Sequence, residues 1–178
     1  MTEAELAKFA GLWRNEKTHM PLQTEVRKGS LFAVGGGPLQ PVAGNKFIAR
    51  GGSIKLEFEI DSSSNPVAAS LTQGNNKFRF LAETQWEPTA NELNEFAGEW
   101  YSEESGAKVK ILVKGLNLLI TQRPDTKIPF MPKYKDHFTA GGGRQPVMWC
   151  SRDANGKIST LHLGAPRMRN MPFVRINK

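Results

Sequence analysis

A single cysteine, Cys150, stands in this 178-residue chain, so an internal disulfide is excluded and no set of thiolates exists to hold a structural metal. Histidine is nearly as scarce. His19, His137 and His162 are scattered, and neither a metal site nor a cofactor is expected. No apolar run approaches the roughly 18 residues that a membrane-crossing helix requires, so no membrane partner is expected. The opening MTEAELAKF has acidic residues where a secretory signal would place basic ones before an apolar stretch. A cytoplasmic location is the expectation if Met1 is the native start. Aromatic residues make up 9% of the chain, and there is no run of five or more like charges.

What charge there is lies unevenly. The net charge is +7; up to Trp86 there are 10 basic and 8 acidic residues, and beyond it 14 and 9. Arg167, Arg169, Arg175 and Lys178 carry much of the late excess. A basic patch can meet nucleic acid or an acidic protein surface. The aromatics sit on apolar faces and not beside the arginines, so a nucleic-acid partner is not expected.

The strongest feature is a repeat. Glu5 to Trp13 reads ELAKFAGLW and Glu92 to Trp100 reads ELNEFAGEW, with Leu6 and Leu93, Phe9 and Phe96, Gly11 and Gly98, and Trp13 and Trp100 sharing an offset of 87. Thr2 with Glu5, and Thr89 with Glu92, form capping boxes that satisfy free amides at a helix start. Each copy therefore opens with a short helical turn, whose apolar stripe Gly11 or Gly98 is expected to end. Downstream, Lys28-Gly29 answers Lys114-Gly115, Phe47 answers Phe138, and Gly51-Gly52 answers Gly142-Gly143. Leu56-x-Phe58 is matched to Val147-x-Trp149, and Pro66-Val67 to Lys157-Ile158.

Between these landmarks the period is two. Ile54, Leu56, Phe58 and Ile60 alternate with Lys55, Glu57 and Glu59, and Val109, Ile111 and Val113 alternate with Lys110 and Leu112, as strands with one buried face do. Glycine-rich turns punctuate them. The expected fold is all-β: two tandem small antiparallel barrels of about eight strands, each preceded by a helical turn, since closure leaves no edge to protect. The domains are read as residues 1–82 and 92–178, joined by a linker over 83–91. At roughly 80 residues per copy the strands must be short, about 5–8 residues. Each interior is expected to be filled by its own side chains, with Trp13 and Trp100 closing one end.

The order of helical L-x-x-F-A-G-x-W, then K-G-x-L, then F-x-A-x-G-G, then an apolar strand and a final F-x-R-like strand, resembles the small lipocalin-like barrels appended to penicillin-recognising, β-lactamase-like serine hydrolases. In arrangement it is similar to the two consecutive barrels of the D-aminopeptidase type. The resemblance covers Glu5 to Ile176. It implies a non-catalytic accessory pair whose partner is a serine hydrolase domain, in cis or in trans, with the catalytic serine and lysine outside this chain. It further implies that a loop of the last barrel reaches toward the active site. By position this is Gly141, Gly142, Gly143, Arg144 and Gln145, which otherwise read as a tight glycine turn.

Other candidates are weaker. Ser105-Gly106-Ala107-Lys108 fits S-x-x-K, but about one such match is expected by chance in a chain of this composition. Here a turn replaces the helix start that would let the lysine take the serine proton. Gly35-Gly36-Gly37-Pro38 lacks the Lys and Ser or Thr of a phosphate loop. Gly164 to Pro172 reads as an insertion without counterpart in the first copy. Its Arg167, Met168, Arg169 and Met171 form a candidate partner surface of adaptable apolar contact and charge. A homo-oligomer is left open. The alternative to an accessory module is a stand-alone lipocalin-like binder of a small molecule, which a cavity of about 300 Å3 or more would favour.

Overall fold

The computed structural model of the chain describes residues 1–123, 126–140, 146–165 and 168–176. The chain divides into two units, Met1–Thr84 and Gln85–Lys178. In the first, helix α1 (Glu3–Ala7) precedes β1 (Gly11–Asn15), β2 (Pro21–Arg27), β3 (Ser30–Ala33), β4 (Gly37–Ala43), β5 (Lys46–Ala49), β6 (Ile54–Ile60), β7 (Pro66–Gln73) and β8 (Asn76–Glu83). Each strand pairs antiparallel with the next, and β8 returns to β1 with Ala82 opposite Trp13, closing the barrel. In the second, α2 (Ala90–Asn94) precedes β9 (Gly98–Tyr101), β10 (Lys108–Lys114), β11 (Asn117–Arg123), β12 (Thr126–Pro132), β13 (His137–Thr139), β14 (Val147–Arg152), β15 (Ile158–Ala165) and β16 (Met168–Arg175). Arg175 lies opposite Trp100, and this barrel too is closed.

Both capping boxes are formed. Thr2 Oγ1 accepts from the Glu5 amide, and the Glu5 carboxylate accepts from the Thr2 amide at 2.6 Å. Thr89 and Glu92 repeat the pattern, the carboxylate lying 2.8 Å from the Thr89 amide. The helices stop earlier than expected, at Ala7 and Asn94, so Gly11 and Gly98 open strands and end no helix. Their small size serves another purpose. A Cβ on Gly11 would touch the Trp13 indole, and one on Gly98, at φ 129°, would lie 2.9 Å from Arg175 Nη1.

Because the strands meander up and down, each barrel has a helix end, to which the connections after its second, fourth and sixth strands return, and an opposite mouth. At the helix end Leu6, Phe9 and Trp13 are buried in the first barrel, and Leu93, Phe96 and Trp100 in the second. Phe9 packs edge-on against Phe47 at 5.1 Å, as Phe96 does against Phe138 at 4.9 Å. The two tryptophans solve one problem in two ways. Trp100 Nε1 donates directly to the Phe96 carbonyl at 3.0 Å. Trp13 Nε1 donates to Thr24 Oγ1 at 2.9 Å, and that hydroxyl donates to the Phe9 carbonyl at 2.6 Å. Thr24 faces Gly11 across β1 and β2, where Ile111 faces Gly98 in the second barrel, so only the first has a hydroxyl to relay.

Three expectations are corrected by strand register. Phe47 pairs with Leu56, whereas Phe138 pairs with Met148, so Leu56 corresponds to Met148 and not to Val147. A one-residue slip exchanges the faces of a strand: Met148 and Cys150 face the barrel interior, and Trp149, 9% exposed, faces the other way and stacks on His162. The same slip makes Ile158, paired with Arg152, the counterpart of Pro66, paired with Ile60. Finally, Gly164 to Pro172 is no insertion. β15 and β16 match β7 and β8 in length, with a bulge between Leu163 and Ala165. Pro172 is tolerated because β16 there has run past the end of β9.

Trp86, placed in the linker by sequence, belongs to the second unit. Its amide donates to the Lys133 carbonyl at 2.9 Å, its ring packs on Phe138 at 5.6 Å, and Lys135 Nζ stands 4.6 Å above it.

Candidate functional site

The expectation of two filled barrels does not hold for the second. Its mouth contains a cavity of about 380 Å3. The walls are inward-facing residues of five strands: Val109 on β10, Ile120 on β11, Ile128 and Phe130 on β12, Leu163 on β15, and Met171 and Phe173 on β16. Ser105, Ala107, Pro146, Ala165 and Met168 form the rim. Alternation explains why these side chains face inward. The space arises because bulky residues crowd the helix end, where Trp86, Phe96, Trp100 and Phe138 meet, while alanines occupy rim positions. The first hairpin at the mouth is pinned in both barrels: buried Asn15 accepts from the Lys17 and Thr18 amides at 3.0 and 2.9 Å, and buried Ser102 accepts from the Ser105 amide at 3.4 Å.

The described flanks of two sequence-picked features stand at this mouth. Met168 and Met171 line the cavity; Arg167 and the Arg169 side chain lie outside the described residues. The loop Gly141, Gly142, Gly143, Arg144 and Gln145 also lies outside them, but the strand ends it joins, Thr139 and Val147, stand at the mouth, as do Ala165 and Met168. Trp13 and Trp100 are at the opposite end of their barrels, 2% and 0% exposed, with no part in the cavity.

Ser105 sits in the turn before β10. Its amide donates to Ser102 Oγ at 3.4 Å and its own Oγ accepts from the Ala107 amide at 3.3 Å. Lys108 begins the strand, so the S-x-x-K pattern has no helix to align it. No group of three His, Cys, Asp or Glu able to hold a metal occurs among the described residues.

A grouping that sequence reasoning missed lies on the outside of β14 to β16. Ser151 Oγ is 2.9 Å from His162 Nε2, and His162 Nδ1 is 2.8 Å from Asn170 Oδ1. With Asn170 Oδ1 as the acceptor facing Nδ1, the other ring nitrogen, Nε2, faces the serine hydroxyl. The order is that of a nucleophile, base and orienting group, yet Ser151 is exposed on a sheet surface, and the described cavities are lined by other residues. Acyl transfer needs a bound carbonyl and donors aimed at its developing oxyanion, so this network is read as surface cross-bracing of three strands. No sequence signal could have found it, because the three residues meet only through register.

The helix end of the second barrel is held by charge. Arg152 forms a bidentate pair with Asp136 at 2.7 Å, reaches Glu95 at 2.6 Å, and donates to the Gly156 carbonyl. The Asp136 carboxylate raises the Arg152 pKa further above its ordinary value. Burial, reinforced by the negative charge of Asp136, pushes the Cys150 thiol up to about 12, which keeps it protonated and poorly nucleophilic. Arg175 lies 4.3 Å over the Trp100 ring and donates to the carbonyls of Ala97 and Glu95, bracing the segment after α2. These groups serve the fold at the end away from the cavity.

No family model matches this chain, and no curated protein matches it.

Proposed function

We propose that this chain is a non-catalytic accessory barrel pair of a serine hydrolase of the D-aminopeptidase or β-lactamase-like kind, and that the mouth of its second barrel limits what reaches the catalytic centre. The observation that carries this reading lies at one end of the second barrel. The second barrel keeps an apolar cavity at its mouth, where the strand ends flanking residues 141–145 and 166–167 also stand. The sequence resemblance from Glu5 to Ile176 supplies the enzyme class. Site-forming segments are commonly loops set on a rigid scaffold, and a closed barrel is such a scaffold.

The test uses the full-length protein together with its hydrolase domain. Deleting Gly143, Arg144 and Gln145 should change the ratio of kcat/KM between small and bulky substrates. An unchanged ratio, with the fold intact, overturns the reading. The second reading, a stand-alone binder of a small molecule, is favoured by the cavity volume, which falls in the range of about 300–1,000 Å3 usual for ligand sites. A reading frame without any serine hydrolase domain, and no hydrolase co-purifying with the protein, would select it.

A further inference from the structure

We infer that the cavity in the second barrel binds the uncharged alkyl or aryl-alkyl tail of a small molecule, with about ten carbon atoms inside and the polar end at the rim beside Ser105. The inference rests on the reading of this mouth as the working end and adds the chemistry of what enters it.

The size follows from the volume. A protein cavity of about 150 Å3 lined by aliphatic and aromatic side chains takes up benzene. The present cavity, at about 380 Å3, has room for more than twice that. At comparable packing the ceiling is about fifteen carbons, and about ten leave space for the rim side chains to close over the tail. The polarity follows from the walls. Ile120, Ile128, Phe130, Leu163 and Phe173 offer neither charge nor hydrogen-bonding side-chain atoms, so a carboxylate or ammonium carried inward would lose its hydration without replacement. Ser105 stands at the rim with its oxygen already accepting from Ala107, which leaves its hydroxyl proton to donate outward. Met168 and Met171 sit at the same end, and their unbranched, polarisable side chains can fit tails of differing shape.

The experiment is a titration of the folded chain with straight-chain primary alcohols of increasing length, read by calorimetry. Affinity should rise about fourfold per added methylene, the factor that burial of one CH2 provides, and level off once the tail fills the cavity. Phe130→Ala should move the plateau to longer chains. Ala107→Phe should weaken binding of the best alcohol at least tenfold, and Ala165→Leu should do the same from the other side of the rim; circular dichroism confirms that each variant is folded. Lack of saturable binding by the folded chain, affinity that climbs without a plateau, or unchanged binding by both filling variants would overturn the inference. If the alcohols fail but deletion of residues 143–145 still alters substrate preference, the accessory reading stands and the tail site falls. If they bind and the deletion does nothing, the reverse holds.

Discussion

Replacing Thr24 with valine keeps the shape of the side chain and removes one hydroxyl, yet it should be among the most damaging small changes in the first barrel. Thr24 is 2% exposed and carries both halves of a relay, accepting from Trp13 Nε1 at 2.9 Å and donating to the Phe9 carbonyl at 2.6 Å. Thr24→Val strands the indole N–H and the carbonyl together. A buried polar group left without a partner costs about 1–3 kcal/mol, so the pair should cost about 2–4 kcal/mol, discounted for any shift that lets the indole reach the carbonyl directly. In a Trp13→Phe background only the carbonyl is stranded, and the same substitution should cost about 1–2 kcal/mol less. The mirror experiment is Ile111→Thr in the second barrel. Trp100 already reaches the Phe96 carbonyl at 3.0 Å, so the new hydroxyl gains no role and should destabilise by about 1–3 kcal/mol. Urea denaturation followed by amide NMR signals of β1 and β2, and separately of β9 and β10, reads each barrel on its own. A Thr24→Val cost below about 0.5 kcal/mol, or an equal cost with and without Trp13, would refute the relay.

Further outcomes follow from the same geometry. With its thiol pushed up to about 12 by burial, Cys150 should react with an aromatic disulfide reagent at pH 8 far more slowly than a free thiol, and at the ordinary rate once the chain is unfolded. The Thr89 amide, the Lys135 ammonium and the Thr89 hydroxyl hold the Glu92 carboxyl at about 2 against a usual 4.5. A lowered pKa stabilises the native state above the unfolded value, and that contribution disappears as pH falls from about 4.5 toward 2. Glu92→Gln should therefore flatten the pH dependence of the second barrel's Tm in that window. Gly98→Ala should lower Tm more than Gly11→Ala, because Gly98 has a φ of 129° and faces Arg175, whereas a Cβ at Gly11 makes ordinary contacts of 3.5 Å or more. Lys108→Met, at an exposed position that does not line the cavity, should leave any hydrolase activity of the full-length protein intact, as a fall in turnover would give the S-x-x-K pattern a role in the chemistry.

Local signals were legible and non-local ones were not. The capping boxes at Thr2 and Thr89 are read over three residues and form as written. Ile54 to Ile60 and Lys108 to Lys114 alternate cleanly, and both are strands. The register of β14 was missed because Val147, Met148, Trp149 and Cys150 are all apolar or weakly polar, so either face could pass for the inner one; the pairing of Phe138 with Met148 decides it. The β15–β16 hairpin reads in sequence as an inserted loop because Gly164 and Pro172 are turn formers, and their chemistry is overruled by pairing across eight-residue strands. The cavity was illegible for a different reason. Alternation says which side chains point inward, but whether they fill the barrel depends on how volumes at Ala107, Ala165, Leu163 and Phe130 sum in one layer. Ser151, His162 and Asn170 come together only once three strands are in register.

The most direct measurement uses the chain's own methionines. Met168 and Met171 line the cavity, while Met20 lies in the first barrel and Met131 is exposed on the second. In a chain labelled at the methionine methyl groups, titration with 1-decanol should shift the signals of Met168 and Met171 along one saturable curve and leave those of Met20 and Met131 in place. Stationary signals at Met168 and Met171, or equal drift of all four, would contradict the second barrel's mouth as the place where this protein takes hold of a ligand.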